Sequence, residues 1–198
     1  MSSDLGGGLT MTQVSVGPMD NNAYLLSHGG ERILIDAAND AGTLLELIGS
    51  GGLRSVVTTH RHQDHWMALE EIALATGAAS LAHADDADGI PVVTGTLRDG
   101  DVVQVGGVTL DVIHIVGHTP GSIVLSYQGK HLFTGDSLFP GGHGKTVRPE
   151  DHERIMDDLT AKIFDRFSDD TVFYPGHGKD STLGAERPQL PEWRARGW

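Results

Sequence analysis

The sequence predicts a mixed α/β fold in which two sheets pack face to face with helices on the outside. Three observations carry this expectation. The first half opens as a β-meander and passes into strand–helix–strand units. The second half runs through two hairpins, the best amphipathic helix of the chain and one more strand. No linker separates the halves, so the 198 residues read as one unit whose sheets must bury a face against each other. Residues 1–11, rich in Gly and Ser, are expected as a flexible lead-in, and 12–198 as a single domain.

Residues 13–16 alternate as a strand does, and Gly17-Pro18 breaks them. Residues 22–27 and 32–37 give two further strands joined by Gly29-Gly30. Residues 43–48 cluster leucines at helical spacing before a Gly-rich stop. A buried-type strand follows at 55–59, then a helix over 66–76 with Gly77 as its cap, and a strand at 79–83. Residues 85–88 read as a short surface turn or helix, and 91–100 as a loop. Gly106-Gly107 and Gln128-Gly129 mark the two hairpins, over 102–115 and 123–134. The helix over 149–164 has Pro149 near its start, acidic residues in its first turn, and Ile155, Leu159 and Ile163 in a stripe. A last strand covers 171–174, and 179–198 is expected as a polar tail with one turn of helix.

Composition narrows the function. A net charge of −13 disfavours a polyanion-binding surface, so no nucleic-acid partner is expected. The chain has no cysteine, which removes thiolate ligands, disulfides and a Cys nucleophile. No apolar run approaches the ~20 residues that span a bilayer, and the N-terminus lacks a signal-peptide pattern. The expectation is therefore a soluble cytoplasmic protein without a membrane partner.

Histidine is abundant, with eleven residues, and four metal-binding side chains fall within six positions in His60-Arg61-His62-Gln63-Asp64-His65. Alternation along an extended segment places His60 and His62 on one face, and Asp64 and His65 follow where the chain turns. Imidazole nitrogen and carboxylate oxygen are ligands for zinc, iron or manganese. Three more candidates sit at strand ends beside glycine: His118, Asp136 and His177. A neighbouring glycine lets the backbone turn sharply and approach a metal closely.

Taken with Gly117-His118-Thr119-Pro120-Gly121-Ser122, Phe133-Thr134-Gly135-Asp136-Ser137 and Pro175-Gly176-His177-Gly178, this set resembles the metallo-β-lactamase superfamily, and within it the glyoxalase II-like thioester hydrolases. The resemblance runs from about residue 13 to 177 and implies a four-layer αββα sandwich. It implies two divalent ions, zinc first and iron or manganese as alternatives. His60, His62 and His118 would hold one, Asp64, His65 and His177 the other, and Asp136 would bridge them. It further implies attack of a metal-bridging hydroxide on a small acyl substrate, with Asp64 helping to orient that hydroxide.

Asp36, at the end of a strand, reads either as a partner of a ligand histidine or as a turn residue. Lys145, with Arg148 nearby, resembles the family's basic contact to a substrate carboxylate, and His143 in the same loop either lines the pocket or stays exposed. His152 is expected on the solvated side of its helix. Long glyoxalase II enzymes carry a basic C-terminal extension for glutathione, and this sequence ends soon after His177. A persulfide dioxygenase using one iron, or a lactonase or β-lactamase on the same site, shares the motif.

Overall fold

The computed structural model describes residues 2–197. Its first sheet has seven strands: β1 (Ser2–Asp4), β2 (Thr10–Val16), β3 (Asn21–His28), β4 (Glu31–Ile35), β5 (Ser55–Thr58), β6 (Ala79–His83) and β7 (Gly95–Leu97), in spatial order. β1 to β4 are antiparallel. The parallel pairs β4–β5 and β5–β6 need crossovers, supplied by α1 (Ala41–Ile48) and α2 (Leu69–Thr76). The second sheet holds β8 (Val102–Val105), β9 (Val108–His114), β10 (Ile123–Tyr127), β11 (His131–Gly135), β12 (Val172–Pro175) and β13 (Ser181–Thr182). Its two hairpins, β8–β9 and β10–β11, are those the glycine pairs predict. α3 (Pro149–Asp158) and a π-helical turn (Leu159–Phe164) cross from β11 to its parallel neighbour β12.

Alternation builds the layers. Tyr24 and Leu26 of β3, with Ile33 and Ile35 of β4, face the second sheet. Ala23, Leu25 and Leu34, between them in sequence, pack beneath α1 and α2. In the second sheet Ile123 and Leu125 face inward, while Val124 meets Ile155, Leu159 and Ile163 of the long helix. The result is the expected αββα order, with both faces of each sheet buried.

Four expectations are corrected. The lead-in is ordered: β1 pairs with β2, Leu5 and Leu9 lie in the inter-sheet core, and Tyr127 Oη donates to the Gly6 carbonyl at 2.9 Å. Residues 63–65 form one 3-10 turn, and α2 begins only at Leu69 because Trp66 leaves helical geometry (φ −142°, ψ 13°). The stretch expected as a loop at 91–100 contributes β7. The tail is structured too: after β13 come α4 (Leu183–Glu186), a 3-10 turn (Arg187–Gln189) and α5 (Leu190–Arg196), which bring Trp193 against Phe164 with ring centroids 6.2 Å apart.

Trp193 is fully buried among the helices outside the second sheet. Trp193→Ala should therefore cost about 3–5 kcal/mol in denaturant unfolding. A loss below about 1 kcal/mol would show that the C-terminal helix does not support this layer.

Candidate metal centre

Strand ends from both sheets meet at one edge. β5 leads into the loop carrying His60, His62, Asp64 and His65, while His118, Asp136 and His177 follow β9, β11 and β12. The sheets are stitched here by Ile123 N–H to the Thr59 carbonyl (2.9 Å) and by a backbone bridge between Asn21 and His177. Glycine is required at this seam. A Cβ on Gly176 would collide with Asp136 and His65, and Gly135 adopts φ +49° with Thr59 packed against it.

All seven sequence-derived candidates converge. His60 Nε2 lies 3.3 Å from His118 Nε2, and the His62 ring sits 4.5 Å from that of His118. His65 Nε2 lies 3.3 Å from His177 Nε2 and 3.4 Å from Asp64 Oδ2, and His177 Nε2 is 3.2 Å from the same oxygen. Asp136 stands between the two groups. Its Oδ2 is 3.8 Å from His60 Nε2 and 3.6 Å from both His118 and His177, and its Oδ1 is 3.3 Å from His65 Nε2.

The ring orientations come from what the other nitrogen does. His65 Nδ1–H donates to Asp36 Oδ2 (2.8 Å), His118 Nδ1–H to the Lys145 carbonyl (2.7 Å) and His177 Nδ1–H to the Met19 carbonyl (2.9 Å). Thr59 Oγ1 donates to Asp36 Oδ2 (2.8 Å) and so accepts from His60 Nδ1–H (3.1 Å). Each bond fixes the proton on Nδ1 and leaves the Nε2 lone pair facing inward. Asp36 is thus the hydrogen-bond partner of His65, a candidate ligand, and it also accepts Thr59 N–H at 2.7 Å. Sequence reasoning missed Thr59 and Asn21, whose Nδ2 donates to Asp64 Oδ2 at 2.9 Å. The Met19 and Lys145 contacts are backbone carbonyls, which leave no mark in the side-chain pattern.

This arrangement fits a pair of cations. Donors on a tetrahedron around an ion at ~2.0–2.1 Å lie about 3.3 Å apart, the separation seen here between facing Nε2 atoms. Asp136 Oδ1 is buried without a hydrogen-bond partner, an expensive condition for a carboxylate unless a cation meets it. Burial pushes the His60 pKa well down, reinforced by the neighbouring imidazoles. Burial acts the same way on His65, but Asp36 and Asp136 on its two sides outweigh it and push it up to about 10. That rise records a strongly negative potential at Nε2, which a dication would satisfy in place of a proton.

Residues 16–177 match the Metallo-beta-lactamase superfamily. The chain belongs to this superfamily. It is 41% identical over 130 residues to a hydroxyacylglutathione hydrolase of Fuscovulum blasticum, covering 64% of this chain and 51% of that protein. It is 35% identical over 161 residues to a hydroxyacylglutathione hydrolase of Anaeromyxobacter dehalogenans (strain 2CP-C), covering 80% of this chain and 61% of that protein. The chain thus spans about half to three fifths of these relatives' length. The solved structure of ETHE1 from Myxococcus xanthus aligns at TM-score 0.82 and 26% identity, over 93% of this chain and 84% of that one.

The loop after Asp136 places its three candidates differently. Lys145 extends its side chain into solvent while its carbonyl holds His118. Arg148 is committed to Asp151 through two bonds of 3.0 and 2.8 Å. His143 is buried rather than exposed, and so is His152, the helix residue expected to be solvated. His143 Nδ1–H donates to the Gly144 carbonyl (2.7 Å), and its Nε2 faces His152 Nδ1 at 2.9 Å. The pair joins this loop to α3, and neither residue lies within the metal-binding groups.

Burial depresses the His143 pKa to about 4, with the Gly144 bond opposing and His152 and Arg196 adding to the shift. The folded state therefore binds this proton less readily than the unfolded chain. The stability it contributes is full above pH 6.5 and is lost as pH falls toward 4, on the order of 3 kcal/mol in all. His143→Leu should flatten that acid limb in unfolding free energies measured from pH 7 to 4. An unchanged slope would show that His143 titrates normally in the folded protein.

Proposed function

We propose that the protein is a binuclear metal-dependent hydrolase of a thioester or small ester, glyoxalase II-like in chemistry. The observation that supports it most is Asp136, a carboxylate set between two groups of inward-facing Nε2 atoms. His60, His62 and His118 would hold one divalent ion, Asp64, His65 and His177 the other, and Asp136 both. Three neutral imidazoles leave a dication uncompensated, and a shared carboxylate offsets the repulsion between two such charges. The ions, zinc first in this reading, would supply an attacking water of lowered pKa and polarise the scissile carbonyl.

The chain's own groups do the rest. Asp36, Thr59, and the Lys145 and Met19 carbonyls keep four imidazoles in the tautomer that presents Nε2. Asn21 holds the Asp64 carboxylate, which we assign to orienting the attacking water. His62, more exposed than His60 and His118, leaves that side of the centre accessible to substrate. The Lys145 side chain is exposed beside the loop that orients His118, and we assign its ammonium to a substrate carboxylate. Arg148, neutralised by Asp151, is a poorer candidate. The names of the two hydrolase relatives support the same reading. Among the described residues no helix is long and apolar enough to cross a membrane.

Protein purified without added metal should contain about two divalent ions per chain and hydrolyse S-D-lactoylglutathione or a simpler thioester faster than lactones or nitrocefin. Asp136→Ala should abolish turnover and lower metal content, since it removes the shared ligand. One iron per chain with oxygen uptake on glutathione persulfide would replace this reading with the dioxygenase.

Lys145→Ala should raise KM for carboxylate-bearing substrates several-fold and leave neutral esters unaffected. An equal change for both would remove Lys145 from substrate recognition.

A further inference from the structure

A residue outside the ligand-bearing loops bonds to two of them, the loop after β5 and the loop after β9. Asp86 lies in the turn between β6 and β7, within an acidic run that reads as solvated surface, yet its side chain is fully buried. Its Oδ2 accepts the Arg61 backbone N–H (2.9 Å) and the Thr119 hydroxyl (2.6 Å), and its Oδ1 accepts the Gly121 backbone N–H (2.8 Å). Arg61 stands between His60 and His62, and Thr119 directly follows His118. One carboxylate therefore grips both loops that carry the three-histidine group, mostly through backbone. Ser122 Oγ lies 2.6 Å from Thr119 Oγ1 and completes the set, because a threonine hydroxyl that donates to Asp86 can still accept. The fit is close: a Cβ on Gly121 would lie 2.6 Å from Asp86 N.

We infer that Asp86 is a positioning residue that clamps the two loops and sets the geometry of the His60–His62–His118 group, with no part in the other group. This rests on the two-ion reading above. The selectivity follows from connectivity. Asp64, His65 and His177 are instead held through Asn21, Asp36 and Met19, none of which touches Asp86. An anionic acceptor of three bonds is needed because both loops present only donors to this point. Asparagine would keep the two bonds at one oxygen and set its amide N–H against Gly121 N–H.

The test is titration of metal-free protein with Co2+, read by its visible absorption and by competition with a chelator. Wild type should show two sites. Asp86→Ala should weaken one of them 10- to 100-fold and resemble His118→Ala, with the site that is lost in His177→Ala retained. Thr119→Val, a milder change, should weaken the same site by a smaller factor and serves if Asp86→Ala does not fold. Asp86→Asn should fall between wild type and Asp86→Ala. Two undiminished sites in these variants, or equal weakening of both, would overturn the clamp while leaving the two-ion reading intact. Wild type that takes up no Co2+ would overturn both.

Discussion

The crowding of five imidazoles and two carboxylates at one edge of the sandwich is the constraint on which the rest depends. Gathering those groups out of water is unfavourable unless every lone pair and proton is accounted for. The fold accounts for them one nitrogen at a time. Asp36, in left-handed backbone geometry at φ +59°, accepts from Thr59 N–H, Thr59 Oγ1 and His65 Nδ1, and so fixes His65 directly and His60 through the threonine. His177 is fixed by the Met19 carbonyl from the β2–β3 turn of the first sheet, and His118 by the Lys145 carbonyl from the loop after β11 in its own sheet. What remains unmatched is the inward side, where nitrogens face nitrogens and a carboxylate oxygen has no donor.

Much of this was legible because the relevant signals are local. Four of the seven converging residues fall in six positions, and each of the others is flagged by its own glycine at a strand end. The sheets were legible because alternating residues such as Ala23, Tyr24, Leu25 and Leu26 divide between two cores. Other features escaped because their physics lies in distant partners. Leu5 and Leu9 sit in a Gly-rich stretch that looks unstructured by itself, and become core only against the second sheet. Trp193 is one aromatic in a polar segment until Phe164 is placed beside it. The pairing of His143 with His152 escaped because the two lie nine positions apart on different elements, and neither alone signals burial. Asp86 lay in an acidic run, where the usual expectation is solvent, and only the two loops above it reveal three donors.

The same constraint explains the glycine at position 144, in the loop after Asp136. Gly144 donates its N–H to the Asp136 carbonyl at 2.9 Å, and a Cβ there would strike that carbonyl and the His118 ring. One residue on, the Lys145 carbonyl orients His118. The backbone of this loop is therefore part of the metal centre's support, while the side chains of Lys145 and Val147 project outward beside it. In the proposed hydrolase, a change of side chain at either position would alter what the rim offers a substrate and leave the carbonyl that orients His118 in place. A change of backbone path would alter both. In the proposed hydrolase, substrate preference would then change along this loop while the seven inward-facing groups stay fixed, which would let similar centres serve different acyl groups.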